Sequence, residues 1–507
     1  MSDDPVDRLR DSQAVSFEEF DRRVREEGAF VADHIERGSF DNPQSTVGLE
    51  YEFYAVDEES GCIRRIHRSL LGFHGFEKEL GLHNAELTTG VHACNDAGLR
   101  AVAAELAGKL SATEGWAAER GVRLVSDGMW TIGPAEGSTE AYLLEATHEE
   151  GLTLAINVSN AVRYHGFASS ERPVGASIDL PGVTLDADNP GPVSLTTSIQ
   201  PHFQLRRAAE LPAYFGYALR VAAPLLALGV NSPLFPPALY DDLDRETVLT
   251  DGWAEHRIPV YEQMMNPPEG PRKVRFPADV DSATEAVERM VQDRTLVPAR
   301  IESGERFDDA FVHLRHKHGS YWRWVRPVFD GASETAANAR IEFRPLPGQP
   351  TLRDTVAFLA AFAGAMSGFA AADHPVRELS WERARENFYA AAREGLAADL
   401  RWITAEGERT DDSRRCVEDT LDTAVDGLQA QGIAPERATE WLEPLYDRLR
   451  RGRTPAAWKR SGVAARLDEG ASLAEAIHGT QREYIALQRG TLYDGSFADW
   501  PAPEGGR

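Results

Sequence analysis

Lysine is almost missing from this 507-residue sequence: only Lys78, Lys109, Lys273, Lys317 and Lys459 occur, so nearly all of the 54 basic residues are arginine. They stand against 81 acidic residues, a net charge of −27. Such a surface repels nucleic acid and anionic membranes, so neither is expected as a partner. The acids are spread along the whole chain, which fits adaptation to a salt-rich cytoplasm better than recruitment of a basic partner. Cysteine is equally sparse. Cys62, Cys94 and Cys416 form no CxxC pair, which argues against a disulfide scaffold. Long apolar runs are lacking too. The most apolar stretch, Thr355–Ala372, is rich in alanine and glycine and closely flanked by Arg353, Asp354 and Asp373, so a packed helix is expected rather than a membrane span. The acidic start, Met1-Ser2-Asp3-Asp4-Pro5, has neither the basic nor the apolar region of a signal peptide, and a cytoplasmic protein is expected. Several motifs are absent: G-x-x-x-x-G-K-[ST], G-x-G-x-x-G after a strand, G-x-S-x-G and H-E-x-x-H. Phosphate chemistry in this chain would therefore not rest on a P-loop.

What is present is a chain long enough for two or three structural units, with a normal apolar fraction of 42%. Residues 1–40 read as a charged helical arm, with Phe17, Phe20, Val24, Phe30 and Val31 at helical spacing. Strands are expected at Thr46–Val56, Asn84–Val91, Val122–Ser126, Leu195–Arg206, Phe311–Leu314, Tyr321–Val328 and Ala339–Pro345. Amphipathic or apolar helices are expected at Asp96–Glu119 and Leu211–Val230. Residues 166–195 and 231–280, rich in proline, read as binding loops where substrate choice would lie. From Leu352 onward the pattern is helical, and the Pro/Gly-rich tail from Trp500 reads as disordered. Strands first and helices later point to an α+β architecture.

Three short segments carry the chemistry. On a strand, side chains alternate faces. Glu50 and Glu52 therefore share a face opposite Leu49, Tyr51 and Phe53; Gln200, His202 and Gln204 oppose Ile199 and Phe203; Arg340, Glu342 and Arg344 oppose Ile341 and Phe343. Two carboxylates at i and i+2 repel each other unless a divalent cation lies between them; a solvated edge strand is the plainer alternative. An imidazole and amide oxygens can ligate a metal or hold a nucleotide phosphate, or be simply hydrogen-bonded. Arginine forks match phosphate or carboxylate oxygens, but interleaved with Glu342 they could equally form a structural ion-pair ladder. Glu86 alternates with apolar neighbours in the same way, and alone reads as a surface carboxylate. Arg323 and Arg326, among Tyr321, Trp322 and Trp324, fit either stacking or core packing. Arg257 is a further candidate anion binder in a loop, whereas His313, His316 and His318 lack zinc spacing and read as structural.

In order along the chain, these residues resemble the glutamate–cysteine ligase family, in its carboxylate–amine ligase branch. The matching segments are Gly48-Leu49-Glu50-Tyr51-Glu52-Phe53, Glu86-Leu87-Thr88-Thr89-Gly90-Val91, Ser198–Gln204, Asn231-Ser232-Pro233, Trp322–Pro327, and Glu342-Phe343-Arg344 followed by Gln349-Pro350-Thr351. The resemblance covers roughly residues 45–375. It implies a glutamine-synthetase-like curved antiparallel sheet with flanking helices, forming a catalytic domain over residues 41–375, with a helical region over 376–498 and a tail over 499–507. It also implies ATP-dependent amide formation, in which glutamate or a similar carboxylate becomes an acyl phosphate and an amine such as cysteine displaces phosphate. By the same resemblance Glu50, Glu52, Glu86, His202 and Glu342 would hold Mg²⁺, with Mn²⁺ as a substitute. Arg344, Arg326 and Arg257 would stabilise charge on the transferring phosphoryl group, and Gln200, Gln204 and Arg340 would hold the nucleotide. A homo-oligomer is compatible with this reading. A phosphotransferase on the same fold and a non-catalytic nucleotide-binding relative are the alternatives. The chain departs from the family where Gln200 replaces the first histidine of an H-x-H strand, where Leu205-Arg206 replaces a glycine, and where Pro345–Gly348 lacks an aspartate.

Overall fold

The computed structural model describes residues 10, 14–66, 71–72, 75–149, 151–159, 161–169, 177–242, 244–267 and 269–503. Its centre is one antiparallel sheet of eight strands: β1 (Thr46–Asp57), β2 (Phe76–Lys78), β3 (Asn84–Thr88), β4 (His92–Ala93), β5 (Val122–Val125), β6 (Ile199–Gln204), β7 (Val325–Asp330) and β8 (Asn338–Phe343). The lateral order is β7-β8-β6-β1-β3-β2, with β4 and β5 also pairing β1. β1 is the trunk. It pairs β6 through Val47–Tyr51, β3 through Glu50–Tyr54 and β5 through Tyr54–Asp57. A twisted strand that serves several partners along its length curls the sheet, here into a half-barrel.

The alternation read from the sequence sets the two faces. Leu49, Tyr51, Phe53, Ile199, Phe203, Ile341 and Phe343 are all buried. They rest on two apolar helices, Leu211–Gly229 and Leu352–Ala372, where Phe343 stacks on Phe362 at 4.5 Å and Phe203 on Tyr214 at 5.8 Å. Both helices are long and apolar enough to cross a membrane, but 83% of the most apolar window of each is buried inside the molecule. A helix apolar all round is a core helix when its neighbours cover it, as here.

The N-terminal helix, Phe17–Glu36, is capped by Ser16 and docks through Glu27 on His313 at 2.6 Å and Asp21 on Lys317 at 3.1 Å. Its partner is a helix, Val312–His318, where the sequence suggested a strand at Phe311–Leu314; four residues are too few for periodicity to separate the two. Strand β7 begins at Val325, later than Tyr321. The expected loop over 166–195 instead holds the end of a helix, Val162–Ser169, and a hairpin, Ser177–Leu180 with Val183–Asp186; residues 170–176 lie outside the described set. Within 231–280 the chain forms a helix at Arg257–Met264.

The C-terminal helices are built into the core. Helix Ser413–Ala430 packs so closely on Leu352–Ala372 that a Cβ at Gly427 would sit 1.9 Å from the Gly364 carbonyl oxygen. Arg448, fully buried, donates to Asp354 at 2.7 Å, to Gln349 at 2.9 Å and to the Leu228 carbonyl at 2.9 Å. Lys459 pairs with buried Asp127, which also accepts from Gln481 at 2.8 Å. The tail expected to be disordered is ordered through Pro503: Trp500 is buried against Trp458 and Tyr484, and residues 504–507 lie outside the described set. Its aromatic ring outweighs the loop-like composition around it.

Candidate active site

The concave face gathers the charged residues because the register aligns them. Glu52 lies opposite Glu86 across β1 and β3, Glu50 opposite Gln200 across β1 and β6, and His202 opposite Glu342 across β6 and β8, with Arg326 next on β7. Two constellations result, each with ligand-type atoms within 4.8 Å of one another: Glu50, His202 and Glu342, and Glu52, Glu79 and Glu86.

The second constellation is dominated by repulsion. Glu86 is pushed well above the usual carboxylate range by burial and then by Glu50, Glu79, Glu52 and Glu77, all of them carboxylates. Glu52 is pushed up to about 7, first by burial and then by Glu79, although Arg257 and its hydrogen bonds to Ser198 oppose this. Three carboxylates meeting at this distance fit a hard divalent cation, which takes oxygen ligands and removes their repulsion. Glu52 is held in place by donors from the Ser198 amide at 2.7 Å, the Ser198 hydroxyl at 2.9 Å and Gln200 at 2.9 Å.

The first constellation is different. Arg326 donates to Glu342 at 2.9 Å, and Arg344 donates to Glu342 from the other side. Burial alone would raise the Glu342 carboxyl, but Arg326, Arg344 and His202 outweigh it and hold it well below the usual range. Arg344 also donates to Gln200. Burial disfavours its charge, yet Glu342, Tyr261 and Glu50 more than offset this and raise its proton affinity. His202 Nε2 lies 3.2 Å from Glu50 yet makes no hydrogen bond, a buried nitrogen left unpaired and aimed at two carboxylates, which fits a ligand atom. Arg340 donates to His202 Nδ1 at 3.1 Å, so a cation on Nε2 requires Arg340 to turn away and Nδ1 to take the proton.

Two cavities border the two constellations. One, about 30 Å³ and too small for a substrate as it stands, is lined by Glu52, Glu79, Arg257, Tyr261, Trp324 and Arg344 among others. The other, about 210 Å³, is lined by Glu50, His318, Phe329, Arg326, Arg340 and Glu342 among others.

Several residues singled out from the sequence sit otherwise than expected. Arg257 is not in a loop but opens the helix Arg257–Met264, and its guanidinium donates to the carbonyls of Arg344, Pro345 and Leu346. Arg340 pairs with Asp330 at 2.7 Å, and Gln204 is turned to the sheet margin, accepting from Thr46 at 3.1 Å and donating to the Gln44 carbonyl at 3.2 Å. Arg323 pairs with Asp293 at 2.8 Å and lies 4.2 Å over the Tyr321 ring. His313, His316 and His318 hydrogen-bond Glu27 and the carbonyls of Val297 and Pro327. Glu79 was missed. It follows a strand only three residues long, and its one signal was the i, i+2 spacing of Glu77 and Glu79.

No curated protein matches the sequence. Among solved structures, a glutamate–cysteine ligase from Francisella tularensis in complex with AMP aligns at 13% identity and a TM-score of 0.50, over 92% of this chain and 91% of that one. A bifunctional glutathione synthetase from Pasteurella multocida aligns at 14% identity and a TM-score of 0.48, over 91% of this chain and 55% of that one. The first likeness supports the fold. The sequence itself reaches further: the model of glutamate–cysteine ligase family 2 matches residues 46–488, from the start of β1 through C-terminal helices well past residue 375, and on that match the chain belongs to that family.

Proposed function

We propose that this chain is an ATP- and metal-dependent carboxylate–amine ligase. It would convert the γ-carboxylate of glutamate, or a similar acid, to an acyl phosphate and pass the acyl group to an amine such as cysteine. Family membership supports the ligase class. The observation that carries the reading is the convergence, on one concave face, of the Glu52–Glu79–Glu86 carboxylates and the Arg326–Glu342–Arg344 triad.

Phosphoryl transfer from ATP needs little covalent help; it needs neutralisation of phosphate charge and alignment of the attacking oxygen. A divalent cation such as Mg²⁺, held by Glu52, Glu79 and Glu86, with Glu50 and His202 as a second donor set, supplies Lewis-acid neutralisation of phosphate oxygens when bound. The chain's own residues do the rest. Glu342 fixes Arg326 and Arg344 from both sides, so the two guanidiniums are pre-oriented rather than mobile. Arg344 keeps its charge and stands beside Glu342 on the concave face, where it can stabilise the transferring phosphoryl group. Arg257 acts one step back, holding the Arg344 carbonyl and so the position of that residue. The carboxylate oxygen attacks the γ-phosphorus and ADP leaves; the amine nitrogen then attacks the acyl carbon, loses a proton, and phosphate leaves. A salt-rich cytoplasm, inferred from composition, belongs to the same proposal.

The test is phosphate release from ATP with Mg²⁺ and L-glutamate, with and without a panel of amines including L-cysteine. Amine-stimulated release, abolished in Glu52→Ala with the fold retained, is expected. Release that no amine stimulates sinks the ligase reading.

A further inference from the structure

Behind Trp324 lies a crevice that the proposed reaction does not use. Trp324 lines the carboxylate cavity, and its indole Nε1 donates at 2.8 Å to Glu262, which lines the crevice. The crevice has a volume of about 650 Å³ and its walls carry five arginines, Arg272, Arg275, Arg289, Arg323 and Arg385, against one carboxylate, Glu262. It adjoins a second hollow of about 670 Å³, with which it shares Glu262, Arg272, Arg385 and Tyr389. Both volumes fall in the range of about 300–1,000 Å³ that small-molecule sites occupy.

The charge balance is the reverse of the rest of the chain, where 81 acids outnumber 54 bases. Part of it is neutralised: Arg289 pairs with Glu285 at 2.6 Å and Arg323 with Asp293 at 2.8 Å. Arg272 reaches only to 3.8 Å from Glu262, whose oxygens also accept from Trp324 and from the Tyr389 hydroxyl at 2.6 Å. Among the described residues, Arg275 and Arg385 make no ion pair. Arg385 is held instead over the Tyr389 ring at 5.3 Å and the Trp381 ring at 6.0 Å. Partial burial and the nearby Arg323 both oppose the charge on Arg275. In a chain with acids to spare, guanidiniums gathered around a cavity and left without carboxylates are arranged for oxyanions supplied from outside, which their planar forks match.

We infer that this crevice binds a small polyanion carrying at least two carboxylate or phosphate groups, with Arg275 and Arg385 as its principal contacts. The site lies outside the proposed catalytic machinery, so its test is separable from that of the ligase reading. Titrate the full-length protein calorimetrically with citrate and, separately, with pyrophosphate, in EDTA at low ionic strength, with chloride as the control anion. Saturable binding of one of the two, tighter than chloride, is expected; Arg275→Ala/Arg385→Ala should weaken it at least tenfold while the melting temperature and amine-dependent phosphate release are kept. Preference for citrate assigns a polycarboxylate, preference for pyrophosphate a phosphate compound. The inference is overturned if neither anion binds more tightly than chloride, or if the double variant binds as well as the parent. Should the double variant fold poorly, Arg275→Gln alone, which keeps most of the side chain's length and makes no cut in the core, carries the same expectation and the same refutation.

Discussion

Glu79→Gln tests the candidate metal centre by giving opposite signs with and without metal. The carboxylate oxygens of Glu52, Glu79 and Glu86 lie within 4.8 Å of one another. Two unit charges at that distance repel by roughly 3.5 kcal/mol at an effective dielectric of about 20. Glu79 is only half-buried, so screening reduces its share to roughly 2 kcal/mol. At pH 8 Glu52, pushed up to about 7, is ionised and the repulsion is present in the metal-free fold. Glutamine keeps the shape and can still accept from the Tyr164 hydroxyl, which now lies 3.3 Å from Glu79. In EDTA the variant should therefore be more stable than the parent. At about 2.1 cal/mol/K per residue, a chain of 507 residues changes its melting temperature by about 1 °C per kcal/mol, so a rise of about 2 °C is expected. With Mg²⁺ at about a hundred times its dissociation constant, the parent should gain roughly 2.7 kcal/mol, a rise of about 3 °C that the variant largely loses. Differential scanning calorimetry at pH 8 reads both. A variant that melts below the parent in EDTA, or that keeps the full Mg²⁺ shift, refutes the reasoning.

Other expectations follow from the same geometry. Because Glu52 must be ionised to hold a cation and titrates near 7, Mg²⁺ affinity measured calorimetrically should rise about fivefold from pH 6 to 7 and nearly twofold more by pH 8, with a proton released on binding below pH 7; metal-free stability should fall between about pH 4.5 and 7 as the raised group ionises. Glu342→Gln leaves Arg326 and Arg344 buried without their counter-charge, and urea denaturation should show a loss of about 3–5 kcal/mol. Lys459→Met strands Asp127 in the core at a similar cost of about 3–5 kcal/mol, and adding Asp127→Leu should recover a large part of it; no recovery would mean that the pair is not the linchpin between the C-terminal helices and the core. Gly427→Ala forces a methyl against the Gly364 carbonyl, and the helices should separate at a cost of about 1–3 kcal/mol or more by the same measurement.

The strands of the site were legible because their composition alternates with period two. Glu50, Glu52, Glu86, His202 and Glu342 all fall on the concave face, since Leu49, Tyr51, Phe53, Phe203 and Phe343 had to be buried. Glu79 was not legible, because a three-residue strand shows too little alternation to orient the residue after it. The arginines were recognised as residues but not by their partners. Arg344 and Arg326 meet Glu342, Arg340 meets Asp330, and Arg257 faces backbone carbonyls. Those partners come from segments far apart in the chain.

The sequence by itself therefore determined the long helices, the main strands, the polarity of each sheet face and the family, because these depend on periodicity and local order of residue types; the short helices Arg257–Met264 and Val312–His318 were not among them. Tertiary structure alone decided which carboxylates share a cation-sized gap, which arginines are already neutralised, and that the helices after Leu352 close the core rather than forming a separate unit. Those outcomes depend on strand register and on buried pairs such as Lys459 with Asp127 and Arg448 with Asp354. Pairs of that kind leave no periodic trace in the chain, since each half is an isolated charge until folding removes water from both.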